Sequence, residues 1–284
     1  MLKHVVLGAA GQLGRELTKR LAGEVVGLAR DQADLTRPDT LREVLSHLQP
    51  EFVLNCAAYN WVDRAESEPD AAFAVNAWGP RALATICRDL DCTLIHFSTN
   101  YVFGLDADRA TPYQETAAPG PISVYGMSKL SGEYFVRAIC PKHIIIRTCG
   151  LFGVWDGGGK GTNFVETMLR LAGQGKPLRV VSDQVCTPSY AADVADGTVQ
   201  LLASGGQGVY HLTNTGSCSW HEFAAAIFDL AGVKPNLMSV TSKEYGAAAQ
   251  RPVYSVLASR LSPLRPWRDA LAAYFSERAT HKDV

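Results

Sequence analysis

The strongest constraint on this chain is the alternation of two periodicities through its first half. Short β-rich apolar runs are separated by segments with helical spacing. The runs are "HVVLGA" (4–9), "EVVGLA" (24–29), "FVLNCA" (52–57), "CTLIHFST" (92–99) and "HIIIRTC" (143–149). In "QLGRELTKRLA", Leu13, Leu17 and Leu21 recur at i, i+4 and i+8, and "PDTLREVLSHL" opens with Pro38 and Asp39, both suited to a first helical turn. "PDAAFAVNAWGPRALATICRDL" is a longer, Ala-rich helical segment. Near-continuous apolar strands leave no face for water. The alternation therefore predicts an α/β fold, a doubly wound parallel sheet with helices on both faces.

The chain has 284 residues, enough for one large or two modest units. We divide it into a dinucleotide-binding part, 1–150, and a mainly substrate-binding part, 151–284. A strand near 178–183 and a helix near 190–203 are candidates to return to the first part. "GVWDGGGKGTN" carries five glycines and no periodicity, which predicts a mobile loop. "FVETMLRLAGQGKP" reads as a helix stopped by Gly173, Gly175 and Pro177. Two further amphipathic helices follow, with Ser189 and Ser219 as capping candidates. The last residues, "RATHKDV", read as a frayed tail.

Charge excludes some partners. With 27 Lys and Arg against 28 Asp and Glu, there is no electrostatic case for nucleic acid or an anionic membrane. No run of eighteen apolar residues occurs, and "MLKHVVLGAAG" enters a strand pattern with no room for a signal peptide. The seven cysteines show no CxxC spacing. They read as small buried hydrophobes in a reducing cytosol, and no metal is expected. The expected location is cytoplasmic.

The first strand runs into "GAAGQLG", with Gly8, Gly11 and Gly14, and a helix follows directly. Glycine lets a backbone approach a pyrophosphate, and a helix N-terminus offers free N–H groups to it. The position at the first β–α turn makes this a Rossmann-type dinucleotide site rather than a plain glycine turn. Where an acid at the end of the second strand would select a free ribose 2′-hydroxyl, the chain reads "LAR". Arg30 can pair a 2′-phosphate, which favours NADP(H) over NAD(H); a solvated surface Arg is the alternative. Asp34 is placed at the adenine edge, and its neighbour Leu35 joins the cofactor set.

Ketone reduction needs a donor that polarises the carbonyl and an acid that protonates the forming alkoxide. In "SVYGMSKLSGE", Tyr125 and Lys129 stand one helical turn apart on one face. The Lys charge, with that of an oxidised nicotinamide, is expected to lower the Tyr pKa. Ser98 and Thr99 finish the fourth strand, at the edge where such sheets bind ligands.

These residues, with "NCAAYNWVDRAESEP", "FSTNYVFG", "DQVCTPSYAADVA", "GVYHLTNTGSCSWHEFA" and "RPVYSVL", resemble the dTDP-4-dehydrorhamnose reductase-like branch of the extended short-chain dehydrogenase/reductase family. The likeness runs in order to about residue 275. It implies Thr99, Tyr125 and Lys129 as the catalytic triad. It implies Gly8, Gly11, Gln12, Leu13 and Gly14 around the pyrophosphate, with Ala57, Ala58 and Tyr59 along the cofactor. Val62 and Tyr101 match positions that touch the sugar, and Asn76 matches one that supports the site. Arg251 is placed on the nucleotide diphosphate, with a surface ion pair as its alternative.

The chain departs from the family in the sugar pocket. Gly150 stands where a sugar-stacking Trp is usual, and Asn100 where the usual residue is Asp. Trp155 is the nearest candidate to restore the aromatic surface. The family's metal at a dimer contact is traceable only through Glu16, so none is expected, while a homodimer stays open. The implied activity is NAD(P)H-dependent reduction of a nucleotide-linked 4-keto-6-deoxy sugar. A 4-epimerase, and a non-catalytic regulatory subunit like that of methionine adenosyltransferase, are the alternatives. A 4,6-dehydratase is disfavoured, because Asn100-Tyr101 replaces its acid–base pair.

Overall fold

The computed structural model describes residues 2–155 and 162–281. The five expected strands form as β1 (Lys3–Leu7), β2 (Glu24–Leu28), β3 (Phe52–Asn55), β4 (Thr93–Thr99) and β5 (His143–Thr148). They lie parallel in the order β2-β1-β3-β4-β5. A sixth strand, Gly208–His211, pairs in parallel with β5 and was not expected from sequence.

Strand alternation accounts for burial on both faces. Val5 and Leu7 pack with Leu41 and Leu45 of α2 (Pro38–Leu48) and with Leu83. Val6, pointing the other way, packs with Leu13 and Leu17 of α1 (Gln12–Arg20) and with Val194. From β1 the sheet grows to β2 on one side and to β3 on the other. That reversal opens a crevice beyond the carboxyl ends of β1 and β3, the place where open α/β sheets take ligands.

The second half differs in part from expectation. The strand near 178–183 does not return to the main sheet. Leu178–Val181 pairs in parallel with Leu237–Val240, and Leu178 and Val180 bury in a separate aromatic core with Phe152, Phe223 and Tyr274. The helix near 190–203, Ala191–Ala203, packs against α1 beside the main sheet. Ser189 does not cap it: its hydroxyl donates to the Thr187 carbonyl, and Tyr190 stands at the cap position. Ser219 does cap Trp220–Ala231, in a reciprocal box with Glu222. "RATHKDV" is helical as far as His281, where Arg278 reaches back to Glu166. Most of the glycine-rich loop, 156–161, lies outside the described residues. All seven cysteines are free. Among the described residues, no helix is long and apolar enough to cross a membrane.

The helix Val124–Ile139 begins at Ser123, whose hydroxyl accepts the Gly126 N–H at 3.1 Å. Tyr125, Lys129 and Glu133 share its buried face. Glu133 meets Arg147 of β5 through two hydrogen bonds of 2.9 and 2.6 Å, with side chains 0% and 3% exposed. Removing one partner leaves the other charge buried and unpaired. Glu133→Ala should therefore cost about 3–5 kcal/mol of stability. Urea denaturation checks this, and a loss near zero would show that the pair does not anchor the helix.

Candidate active site

A cleft of about 1100 Å³ runs from the start of α1, across the ends of β3, β4 and β5, to the segment around 242–251. At its inner end the three glycines have separate tasks. Gly8 has φ +72°, and a Cβ there would stand 2.8 Å from the Ala57 nitrogen. A Cβ on Gly14 would stand 2.4 Å from the Gly8 carbonyl oxygen, so the first turn of α1 packs directly on the loop. A Cβ on Gly11 would meet only that oxygen, at 3.4 Å, so this backbone is open to the cleft. No side chain caps α1 and its first turn carries no acid. The site therefore fits the pyrophosphate of a dinucleotide, which the N–H groups and positive end of α1 would hold.

Of the other cofactor residues expected, Gln12, Leu13 and Ala58 line the cleft. Ala57 backs Gly8. Tyr59 is buried behind the wall: its N–H donates to Asn76 and its hydroxyl to Glu68. Arg30, Asp34 and Leu35 do not line this cleft. Arg30 is 78% exposed, with Nε 3.4 Å from Asp34. Asp34 turns inward to accept from the Thr36 N–H and hydroxyl, and Leu35 is in the core. Asn76 is not a surface amide. It is buried in the π-turn Ala74–Trp78, with both its amide atoms on the Tyr59 backbone and a further bond to the Ser128 hydroxyl on the Tyr125 helix.

Thr99, Tyr125 and Lys129 all line the cleft. Thr99 ends β4 opposite Thr148 of β5. Its hydroxyl donates to Asn100 Oδ1 at 3.2 Å and accepts the Tyr101 N–H at 3.1 Å. The charges of the chain by itself do not lower the Tyr125 pKa. Burial pushes the phenol up to about 12, and a hydrogen bond with Thr99 offsets only part of this. Lys129 Nζ donates to the Phe97 carbonyl at 2.6 Å. Burial brings Lys129 down to about 8, against the opposing charge of Glu133 one turn further on.

Of the substrate residues expected, Val62, Tyr101 and Arg251 line the cleft. The rings of Tyr101 and Tyr125 meet edge to face at 5.9 Å. Arg251 is not free: it pairs Asp63 through bonds of 2.9 and 2.6 Å, tying the C-terminal segment to the turn after β3. Trp155 does not line the cleft. Its Nε1–H donates to Glu16 at 2.7 Å and its ring meets His281 edge-on, so a strong polar partner holds it against α1. The Glu16 carboxylate is further occupied by Arg20.

Several lining residues escaped the sequence reading. Among the described residues the hydroxyl of Thr148 is buried without a partner, as is that of Ser98, already placed at this strand edge from sequence, and both border the cleft. Asn163 Nδ2 donates to Gln12 Oε1 and the Gly153 carbonyl. Trp220 and Phe164 form an apolar wall. Of those missed, only Thr148 had a usable signal, its strand-end position opposite Thr99; the others meet the site through distant pairings.

The low Lys129 pKa has a testable sign. Between about 8 and the ordinary 10.5 the unfolded chain holds the proton and the folded one has lost it. Stability contributed by this group therefore rises with pH across that window. Wild type should gain stability relative to Lys129→Met as pH climbs from 8 to 10, in paired urea titrations. A constant difference would contradict the lowered pKa.

The chain matches the family model described as RmlD substrate binding domain over residues 2–280. It is 40% identical over 291 residues to spore coat polysaccharide biosynthesis protein SpsK of Bacillus subtilis, covering 100% of both chains. It is 40% identical over 278 residues to dTDP-4-dehydrorhamnose reductase of Mycolicibacterium smegmatis, covering 94% of this chain and 83% of that protein. The crystal structure of dTDP-4-dehydrorhamnose reductase from Bacillus anthracis in complex with NADP superposes with a TM-score of 0.92 at 36% identity, covering 98% of this chain and 100% of that one. With the fold, the phosphate turn and the Thr-Tyr-Lys site in place, these matches show that the chain belongs to the RmlD family, the dTDP-4-dehydrorhamnose reductase-like branch of the short-chain dehydrogenase/reductases.

Proposed function

We propose that the protein is an NADPH-dependent reductase of a nucleotide-linked 4-keto-6-deoxy sugar. One observation carries the reading: Thr99, Tyr125 and Lys129 share a single cleft with an open phosphate-accepting turn. The names of the Mycolicibacterium and Bacillus anthracis relatives, and the NADP in the latter's structure, support it.

Bound NADPH supplies the hydride for the sugar C4 carbonyl. The turn from Gly8 to Gly14 would hold its pyrophosphate, Arg30 its 2′-phosphate, and Lys129 its ribose. With a pKa near 12, Tyr125 is a neutral phenol at pH 7. It holds the proton that the oxygen must receive as the carbonyl becomes an alcohol. Thr99, its hydroxyl directed by Asn100 and Tyr101, orients the carbonyl. Val62 and Tyr101 flank the sugar, and Arg251 stands at the nucleotide diphosphate. Asn100 cannot act as an acid, which supports reduction over dehydration.

Purified protein should oxidise NADPH in step with added dTDP-4-dehydrorhamnose. A 4-epimerase would interconvert sugars with no net NADPH loss, and a regulatory subunit would do neither. Tyr125→Phe should lower kcat by about two to three orders of magnitude, the worth of a positioned acid, with NADPH affinity nearly unchanged. Near-normal turnover in that variant would sink the assignment. Arg30→Ala should weaken NADPH by about 1.5–3 kcal/mol, the scale of a charge-assisted bond, and leave NADH almost untouched. Equal losses for both cofactors would remove Arg30 from the phosphate.

A further inference from the structure

We propose that Trp220, seated over the bare backbone of Gly150, is the aromatic wall against which the sugar packs. This rests on the reductase reading above.

Gly150 lies two residues beyond Thr148, the β5 partner of Thr99, so it is tied by register to the reacting end of the cleft. Its φ is +49°, and a Cβ there would stand 3.2 Å from Cη2 of Trp220 and 3.5 Å from Cα of Pro188. The six-membered ring of the indole therefore fills the space that a side chain at 150 would need. The two positions form one unit: glycine at 150 admits the indole, and the indole supplies the surface that glycine lacks. Gly150, Trp220 and Phe164 all border the same cleft as Thr99 and Tyr125.

The ring is also held in place. Trp220 is the first residue of Trp220–Ala231, whose start is fixed by the Ser219–Glu222 box. Behind it, Phe164 lies at 4.8 Å and Phe223 at 6.3 Å between ring centroids. Its exposure is intermediate, so part of the ring still faces the cleft. An immobile, half-exposed aromatic suits a ligand with an apolar face. A 6-deoxy sugar has one, in its ring C–H groups and its methyl. The other tryptophan expected in this role, Trp155, is hydrogen-bonded to Glu16 outside the cleft.

The test is steady-state kinetics with dTDP-4-dehydrorhamnose, alongside NADPH binding by fluorescence. Wild-type turnover is measured first, because its absence would overturn the reductase reading itself. Given turnover, Trp220→Ala should raise KM for the sugar nucleotide by about tenfold, with NADPH affinity within about twofold of wild type. Trp220→Phe, which keeps an apolar ring on the same packing, should show a smaller rise. An unchanged KM in Trp220→Ala would overturn the proposal, as would an equal loss of NADPH affinity. If Trp220→Ala does not fold, Trp220→Phe decides: wild-type KM for the sugar nucleotide together with weakened NADPH binding overturns the proposal.

Discussion

The ion pair between Glu133 and Arg147 sets where the Val124–Ile139 helix lies on β5, and the reacting groups follow from that. Tyr125, Lys129 and Glu133 are one turn apart on a single buried face. Fixing Glu133 fixes the angular position of the other two. Arg147 is itself placed by Phe103, whose ring lies 5.2 Å beneath the guanidinium and stacks on Tyr113 at 4.1 Å. A buried pair of this kind is weak evidence for net stability, but losing one partner is expensive. That asymmetry suits a contact whose task is placement.

The same pair bears on charge. Lys129 is buried and its pKa is brought down by that burial, with the Glu133 carboxylate pulling the other way. The ammonium spends one of its donors on the Phe97 carbonyl, at the end of the strand that also carries Thr99. Tyr125 remains protonated, the form a reductase needs at the start of its cycle. The geometry is therefore set for proton donation.

Much of this was legible from local pattern. The β–α alternation located all five strands of the sheet's body, and the glycine spacing located the turn at α1. Tyr125 and Lys129 were readable because helical periodicity fixes their relation. What failed was non-local. The sixth strand, Gly208–His211, is four residues long, with nothing in its own sequence to say that β5 is its partner. Leu178–Val181 has a strand pattern that suits either sheet, and only its packing with Phe152, Phe223 and Tyr274 decides. Trp155 looked available beside Gly150 in sequence, yet Glu16 claims it from 139 positions away. Trp220, 70 positions beyond Gly150, is the ring that meets it.

The central claim is direct reduction at sugar C4 by a cofactor held in this cleft. The most direct measurement uses NADPH deuterated at the transferring position of nicotinamide C4, with dTDP-4-dehydrorhamnose as acceptor, and locates the label by NMR. The account predicts one deuterium on C4 of the product sugar for each NADPH consumed. A product without the label, or sugar epimerised with NADPH intact, would contradict it.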